Sequence, residues 1–288
     1  MTLVSIKNEL IKAREARYAV PLFDVFEQQG MDGTLDALIN RRAPTIIGLY
    51  SPYTQLPNIR ALVAYIRSRA EETDVPVAIM LDHGASPENC LQMIEYGFTD
   101  VMYDGSKLPL EENIANTKKV VAAAHAAGVA VEAELGHVGM GDQYESFGSQ
   151  RVGFTNPDVV EYFVKETGID FLAIAFGNAH GFYKGKPQLD LDLVATIRER
   201  VSVPLVMHGG TGLTDEQFRG AIAAGICKIN FATSILNGAV ENMKATALNI
   251  NPSGAADANM FALLYGVREA YCSWTSQLYD VFGTTNRA

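Results

Sequence analysis

Cysteine is scarce in this chain of 288 residues: Cys90, Cys227 and Cys272 are the only three, odd in number and far apart. They form neither a disulfide framework nor a CxxC metal motif, and free thiols suit a reducing cytoplasm. Long hydrophobic runs are missing as well. The longest, Val120 to Val131, is interrupted by His125 and falls short of the roughly 20 residues that a membrane span needs. The opening residues, Met1 to Lys7, lack the apolar stretch of a signal peptide, so a soluble, cytoplasmic protein is expected. Positive charge is in deficit: 23 Lys and Arg stand against 33 Asp and Glu, a net charge of −10, with no basic run. That balance argues against nucleic acid or an anionic membrane as the main partner. A small phosphorylated substrate stays open, because backbone amides can hold a phosphate inside an acidic protein. There is also no GxGxxG after the first candidate strand, which removes the usual mark of an open dinucleotide-binding sheet.

What is present is an even alternation of short apolar runs and helical segments. The candidate strands are Ala19–Val25, Thr45–Tyr50, Pro76–Asp82, Asp100–Asp104, Val129–Leu135, Asp170–Phe176, Val203–His208 and Ile226–Phe231. Most read as continuous apolar runs, as expected of parallel strands covered on both faces. Helices are marked between them. Pro87–Tyr96 follows the N-cap residue Ser86 and stops at Gly97. Leu110–Ala127 ends at Gly128, and Asn156-Pro157-Asp158 opens another helix that runs to Gly168. Thr214 and Gln217 have the spacing of a capping box, for a helix that stops at Gly225. A loop over Asn251–Asn259 precedes a final helix, Met260–Phe282. Eight strand–helix units without a composition break predict an α/β fold, one (β/α)8 barrel domain over residues 1–288 with an additional C-terminal helix.

In such a barrel the chemistry gathers at the carboxyl ends of the strands. Asp82-His83 ends the third candidate strand and Asp104 the fourth. Glu132 and Glu134 end the fifth, His180 follows the sixth, His208 ends the seventh and Asn230 the eighth. A lone histidine is more often a surface or hydrogen-bonded structural residue. Three on one rim, His83, His180 and His208, are a different matter, since barrel closure brings those ends together. Three imidazoles with an open fourth position suit catalytic zinc. His125 falls on a helix and reads as bland, and His137 lies near the rim without a role. The run His208-Gly209-Gly210-Thr211-Gly212, and Asn230 to Thr233 after the last strand, lie in the loop pair where many barrels bind phosphate. Glycines admit backbone N–H groups to the anion and threonine hydroxyls add donors; Lys184 can close over the same group. A metal beside a phosphate pocket suits stabilising the enediolate that forms when a bond next to a ketone breaks. Asp82 would then move the proton. A Schiff-base route needs a lysine at a strand end, and Lys228 is the residue whose position decides that point.

Five segments in order resemble the class II ketose-bisphosphate aldolases, which include the fructose- and tagatose-bisphosphate enzymes. They are Leu81-Asp82-His83-Gly84, Val131 to Gly136, Ala179 to Gly185, His208 to Gly212, and Lys228-Ile229-Asn230. The resemblance extends from Tyr18-Ala19-Val20-Pro21 to the final helix. It implies His83, His180 and His208 as ligands of a catalytic Zn2+, for which Co2+ substitutes, with a monovalent cation as an additional ion. It implies Asp82 as acid and base, and Asp104 with Glu134 as a second metal-binding pair. Gly181, Lys184, Gly209, Gly210, Thr211, Asn230 and Thr233 would hold dihydroxyacetone phosphate. The reaction implied is reversible cleavage of a ketose phosphate to that triose phosphate and an aldehyde, in a homodimer or homotetramer.

The chain departs from that pattern in several places. Phe23-Asp24 replaces Phe-Asn and is expected to add a negative charge near the pocket. Gly139-Met140-Gly141-Asp142 replaces Gly-Gly-x-Glu, so the loop carboxylate is the shorter Asp142 or is displaced to Glu145. Tyr50 stands where a small hydroxyl residue is usual, and Ser234 where an Asp is usual. The near phosphate site is thus kept and the far end of the pocket changed. Two expectations follow: an aldehyde partner that lacks a phosphate, or a distal phosphate served by Tyr50 and Arg268. A metal-dependent sugar-phosphate epimerase is the competing enzyme class, and an inactive sibling subunit the competing non-enzyme.

Overall fold

The computed structural model describes residues 3–144, 151–248 and 259–288. Eight parallel strands close on themselves. They are β1 (Val20–Asp24), β2 (Thr45–Tyr50), β3 (Val77–Gly84), β4 (Asp100–Tyr103), β5 (Ala130–Leu135), β7 (Phe171–Ile174), β9 (Leu205–Met207) and β10 (Ile226–Phe231). Closure is made by β1, whose Leu22 pairs with Asn230 on one side and Ile46 on the other. Two short strands outside the barrel, β6 (Gly139–Met140) and β8 (Ala179–His180), form a ladder of their own. Two residues each are too few for any periodicity, and neither was legible in the sequence.

The helices are α1 (Lys7–Ala16), α2 (Gln28–Arg41), α3 (Ile59–Ala70), α4 (Pro87–Tyr96), α5 (Leu110–Ala126), α6 (Val160–Thr167), α7 (Leu191–Arg200), α8 (Asp215–Ala224), α9 (Thr233–Leu248) and α10 (Met260–Phe282). Ser86 caps α4 through the Asn89 amide, and Thr214 with Gln217 makes the full capping box on α8. The helix expected from Asn156 begins as a 3-10 turn, Pro157–Val159, before α6. Residues 251–258 of the expected loop, and Glu145, lie outside the described residues.

Strand alternation divides the apolar residues into two cores. One set, including Leu22, Ile46, Met80, Phe171 and Val206, fills the barrel, and Ile6, Leu10 and Ala13 of the α1 segment close it from below. That plug is fastened where strands begin: Ser5 Oγ donates to Asp100 (2.7 Å) and Lys7 pairs with Asp170 (2.6 Å). The other set, including Phe23, Ile47, Leu81, Val131 and Ile229, faces the helices. With the N-terminal end plugged, the carboxyl ends of the strands remain for the site.

Two strands are each three residues shorter than the sequence suggests. β7 keeps only Phe171–Ile174 of Asp170–Phe176, and β9 only Leu205–Met207 of Val203–His208. Their last residues leave the ladder to turn over the barrel mouth. β3 does the reverse and extends to Gly84. Leu81 pairs with Val101 and Gly84 with Tyr103, so β3 carries one extra residue there. Such a bulge re-aims a side chain. Here it falls at His83, whose φ of 50° is left-handed, an uncommon conformation for a residue with a Cβ.

Candidate active site

His83, re-aimed by the bulge in β3, meets His180 from β8 and His208 just past β9. The ring centroids are 4.8 Å apart for His83 and His180, 4.5 Å for His83 and His208, and 6.0 Å for the third pair. One nitrogen of each lies within 4.8 Å of the others. Close backbone packing allows this. Gly209 has φ 72°, and a Cβ there would stand 2.1 Å from the Ala179 carbonyl oxygen, so glycine lets the loop after β9 lie against β8. Asn178 and Tyr183 tie the two segments: Asn178 Nδ2 donates to His208 O (3.0 Å), and the Tyr183 hydroxyl donates to Gly209 O (2.9 Å) while accepting from Ala179 N (2.7 Å).

The donor set fits a divalent cation. His83 Nε2 is buried without a hydrogen-bond partner, while its Nδ1 is held by Asp104 Oδ2 at 2.8 Å. His208 Nε2 donates to Glu132 Oε1 at 2.8 Å, since a carboxylate only accepts. That leaves the Nδ1 lone pair for a metal. Burial keeps His180 down at about 3, with His83 and His208 adding to the effect, and takes His208 well below the ordinary imidazole range. Both are the neutral species that ligate. Burial alone would lower His83 too, but Asp82, Asp104 and Glu134 outweigh it and hold it at about 10. A cation is what this surplus of negative groups lacks. His83, Asp104 and Glu134 form a second set of donors within the same 4.8 Å limit, so the two sets share His83. Burial and the neighbouring Asp104 push Glu134 up to about 8.

Asp82, nearly buried at the end of β3, accepts from Asn230 Nδ2 at 2.7 Å and lies 3.8 Å from His208 Nδ1. Burial opposes its charge, yet the positive charges of His83 and Lys228 hold its pKa below the usual carboxylate range. Asp24 is buried beside Asp82, and burial, reinforced by repulsion from Asp82, drives its pKa far upward.

The glycine-rich loops lie where the barrel argument placed them. Gly209, Gly210 and Thr211 are buried, Thr233 opens α9, and the Ser234 amide donates to Thr211 Oγ1 at 3.3 Å. Gly181, with φ 74°, follows His180 directly. Lys184 is exposed in the same loop, anchored through its backbone N–H to Gly141 O (2.8 Å). Asp142 is exposed on a 3-10 turn directly after β6, whose Met140 pairs with His180. Tyr50 stands half-exposed at the end of β2 with its ring edge-on to His83, 6.2 Å between centroids. Arg268 is not brought to this rim. It lies on α10 in the outer helical layer, 2.6 Å from Asp36 of α2 and over the Tyr265 ring.

His137 contacts Ser106 Oγ (3.0 Å), and His125 contacts Asp170 (2.8 Å) on the outside of the barrel. Lys228 is fully buried in mid-strand, its ammonium taken by Glu132 (2.9 Å) and Asn230 Oδ1 (2.6 Å) rather than open to a carbonyl. The sequence had assigned no role to Glu132. The signal was available in the period of two that sets Glu132 and Glu134, and Lys228 and Asn230, on single faces of their strands.

An eight-stranded barrel with convergent imidazoles and carboxylates at the carboxyl ends of its strands is the arrangement of a metal-dependent barrel enzyme. The comparisons specify which. A family model for class-II fructose-bisphosphate aldolase matches residues 4–287. A fructose-bisphosphate aldolase of Geobacillus stearothermophilus is 39% identical over 264 residues, 91% of this chain and 89% of that protein. The D-tagatose-1,6-bisphosphate aldolase subunit GatY of Klebsiella oxytoca is 38% identical over 239 residues, 82% of this chain and 83% of that one. The crystal structure of the YdjI aldolase from Escherichia coli K12 superposes with a TM-score of 0.86 at 31% identity, covering 99% of each chain. The chain belongs to the class-II fructose-bisphosphate aldolase family and is an aldolase, a carbon–carbon lyase.

Proposed function

We propose that this protein is a zinc-dependent aldolase that reversibly cleaves a ketose bisphosphate of the fructose or tagatose type to dihydroxyacetone phosphate and an aldehyde. The observation that carries the reading is Asp82 beside a buried, partnerless His83 Nε2 and two neutral imidazoles. His83, His180 and His208 would hold Zn2+, with Co2+ as a substitute, and Asp104 with Glu134 would offer the alternative position that shares His83. Bound there, the metal supplies a Lewis acid beside the substrate ketone.

The protein's own groups do the rest. Asp82, ionised in the resting site, takes the proton of the hydroxyl on the carbon that becomes the aldehyde. As that C–O bond becomes a carbonyl, the adjacent carbon–carbon bond breaks and its electron pair stays with the ketone half. Asp142, exposed on the turn after β6, relays a proton from solvent to that carbon, and Asp82 gives up its proton to solvent as the aldehyde leaves. Backbone amides of Gly181, Gly209 and Gly210, with Thr211 and Thr233, hold the triose phosphate group at the start of α9, where the helix dipole favours an anion. Lys184 closes over it, and Asn230 orients the substrate while holding Asp82. A cytoplasmic homo-oligomer is part of the reading, supported by three free thiols and the exposed Met260 and Phe261 of α10. Among the described residues no helix is long and apolar enough to cross a membrane.

A second reading of the far end, an aldehyde without a phosphate, is favoured by Arg268 being engaged by Asp36 and by Tyr50 at the rim. One substrate panel tests both. Fructose 1,6-bisphosphate, tagatose 1,6-bisphosphate and fructose 1-phosphate are offered to the zinc-loaded protein, and triose phosphate is measured in a coupled assay with and without chelator. Release that chelator abolishes and Zn2+ or Co2+ restores supports the function. Preference for a bisphosphate supports the first reading of the far end, and preference for the monophosphate supports the second. No triose phosphate from any substrate, or cleavage indifferent to chelator, overturns the proposal.

A further inference from the structure

Among the buried polar groups of the barrel strands is one ion pair that folding does not explain. Glu132 on β5 and Lys228 on β10 are both fully buried and form an ion pair of 2.9 Å between strands that β7 and β9 separate around the barrel. A buried ion pair is seldom retained for stability, because desolvation offsets its attraction and apolar residues of similar volume serve as well. Each partner, however, has a second bond that points up into the site. Glu132 Oε1 accepts from His208 Nε2 (2.8 Å), and Lys228 Nζ donates to Asn230 Oδ1 (2.6 Å). The consequences are geometric. With its proton on Nε2, His208 has its lone pair on Nδ1, the nitrogen nearest Asp82 and 3.3 Å from Asn230 Nδ2. With its carbonyl turned to Lys228, the Asn230 amide can only present its NH2 group to Asp82 Oδ1 (2.7 Å).

We propose that Lys228 and Glu132 are positioning residues: the pair sets the tautomer of His208 and the orientation of the Asn230 amide, and so aligns a metal ligand and Asp82 together. One internal bond thereby couples the two halves of the site. A carboxylate that orients a ligating histidine typically contributes tenfold to hundredfold in metal affinity. The Lys228 end acts on Asp82 through Asn230, so its loss falls mainly on turnover, with a lesser effect on substrate binding through the same amide. The inference rests on His208 being a metal ligand, as under the proposed function.

The test uses the full-length protein loaded with Co2+, whose visible absorption reports ligand geometry. Glu132→Gln is expected to weaken Co2+ binding about tenfold to hundredfold in a chelator competition and to alter the spectrum. Lys228→Met is expected to lower kcat by tenfold or more, a larger effect than its rise in KM, within the range attributed to a misplaced acid or base. The double variant Lys228→Met with Glu132→Gln leaves no unpaired charge, so it is expected to fold and to show both losses. In the wild type, two-bond ¹H–¹⁵N correlations are expected to show the His208 proton on Nε2. Folded Glu132→Gln and double variants with wild-type affinity, spectrum and kcat overturn the inference, as does a His208 proton on Nδ1. If neither variant folds, the tautomer decides. A wild type that binds no Co2+ overturns the ligand assignment and this inference with it, whereas binding that the substitutions leave untouched overturns this inference alone.

Discussion

Metal uptake by this protein should be steeply dependent on pH, and the slope can be worked from His83 alone. In the metal-free site His83 is held at about 10 by Asp82, Asp104 and Glu134, against the opposing effect of burial. His180, at about 3, and His208, well below the ordinary range, are already neutral. A ligating imidazole must be neutral, so the arriving ion displaces one proton from His83 and none from the other two. Neutral pH lies about three units below the His83 value, and each unit is a factor of ten, so competition with the proton weakens apparent affinity roughly thousandfold (about 4 kcal/mol). The sign is fixed: affinity rises with pH, close to tenfold per unit up to about 10, and levels off above it. Glu134, raised to about 8, gives up a second proton if the ion sits with Asp104, which steepens the slope below that pH. Without metal, the same His83 contacts stabilise the fold below the unfolded value of about 6.5, and that contribution is lost as pH rises through about 10. Chelator competition at several pH values gives the affinity, and calorimetry in buffers of different ionisation enthalpy counts the released protons. An affinity that stays level from neutral pH to about 9, with no proton released, refutes the electrostatic account of the site.

Asp82→Ala should keep the metal, since Asp82 is not among the donors that converge, and should lose about a hundredfold to ten-thousandfold in turnover, the usual contribution of a positioned acid or base. Normal cleavage by that variant would leave Asp82 only a support for His83. Gly209→Ala should destabilise the protein by about 1–3 kcal/mol through its left-handed backbone alone. Its new Cβ would also press the Ala179 carbonyl and displace His180, so the melting temperature and the Co2+ affinity should fall together. A fall in the first without the second would detach Gly209 from the site.

The sequence alone determined the barrel and most of the candidate site, because both follow local rules. Continuous apolar strands alternating with capped helices specify the closed parallel sheet, and a closed sheet gathers the residues at its strand ends. His83, His180, His208 and Asp82 could therefore be placed before any contact was known. Even the boundaries of β2, β10 and α10 were legible, since turn and capping signals flank them. What tertiary structure decided were partners distant in sequence. Asp24 has its pKa driven upward because it is buried and β3 brings Asp82 beside it. Arg268 turns to Asp36 because α10 packs on α2. The bulge that aims His83 arises from register between β3 and β4, which no run of residues encodes by itself. The pairing of Lys228 with Glu132 exists only because barrel closure sets β5 across from β10. Local pattern chose the ligands, and long-range packing chose their tautomers, charges and aim, because those depend on what lies within a few ångströms rather than within a few residues.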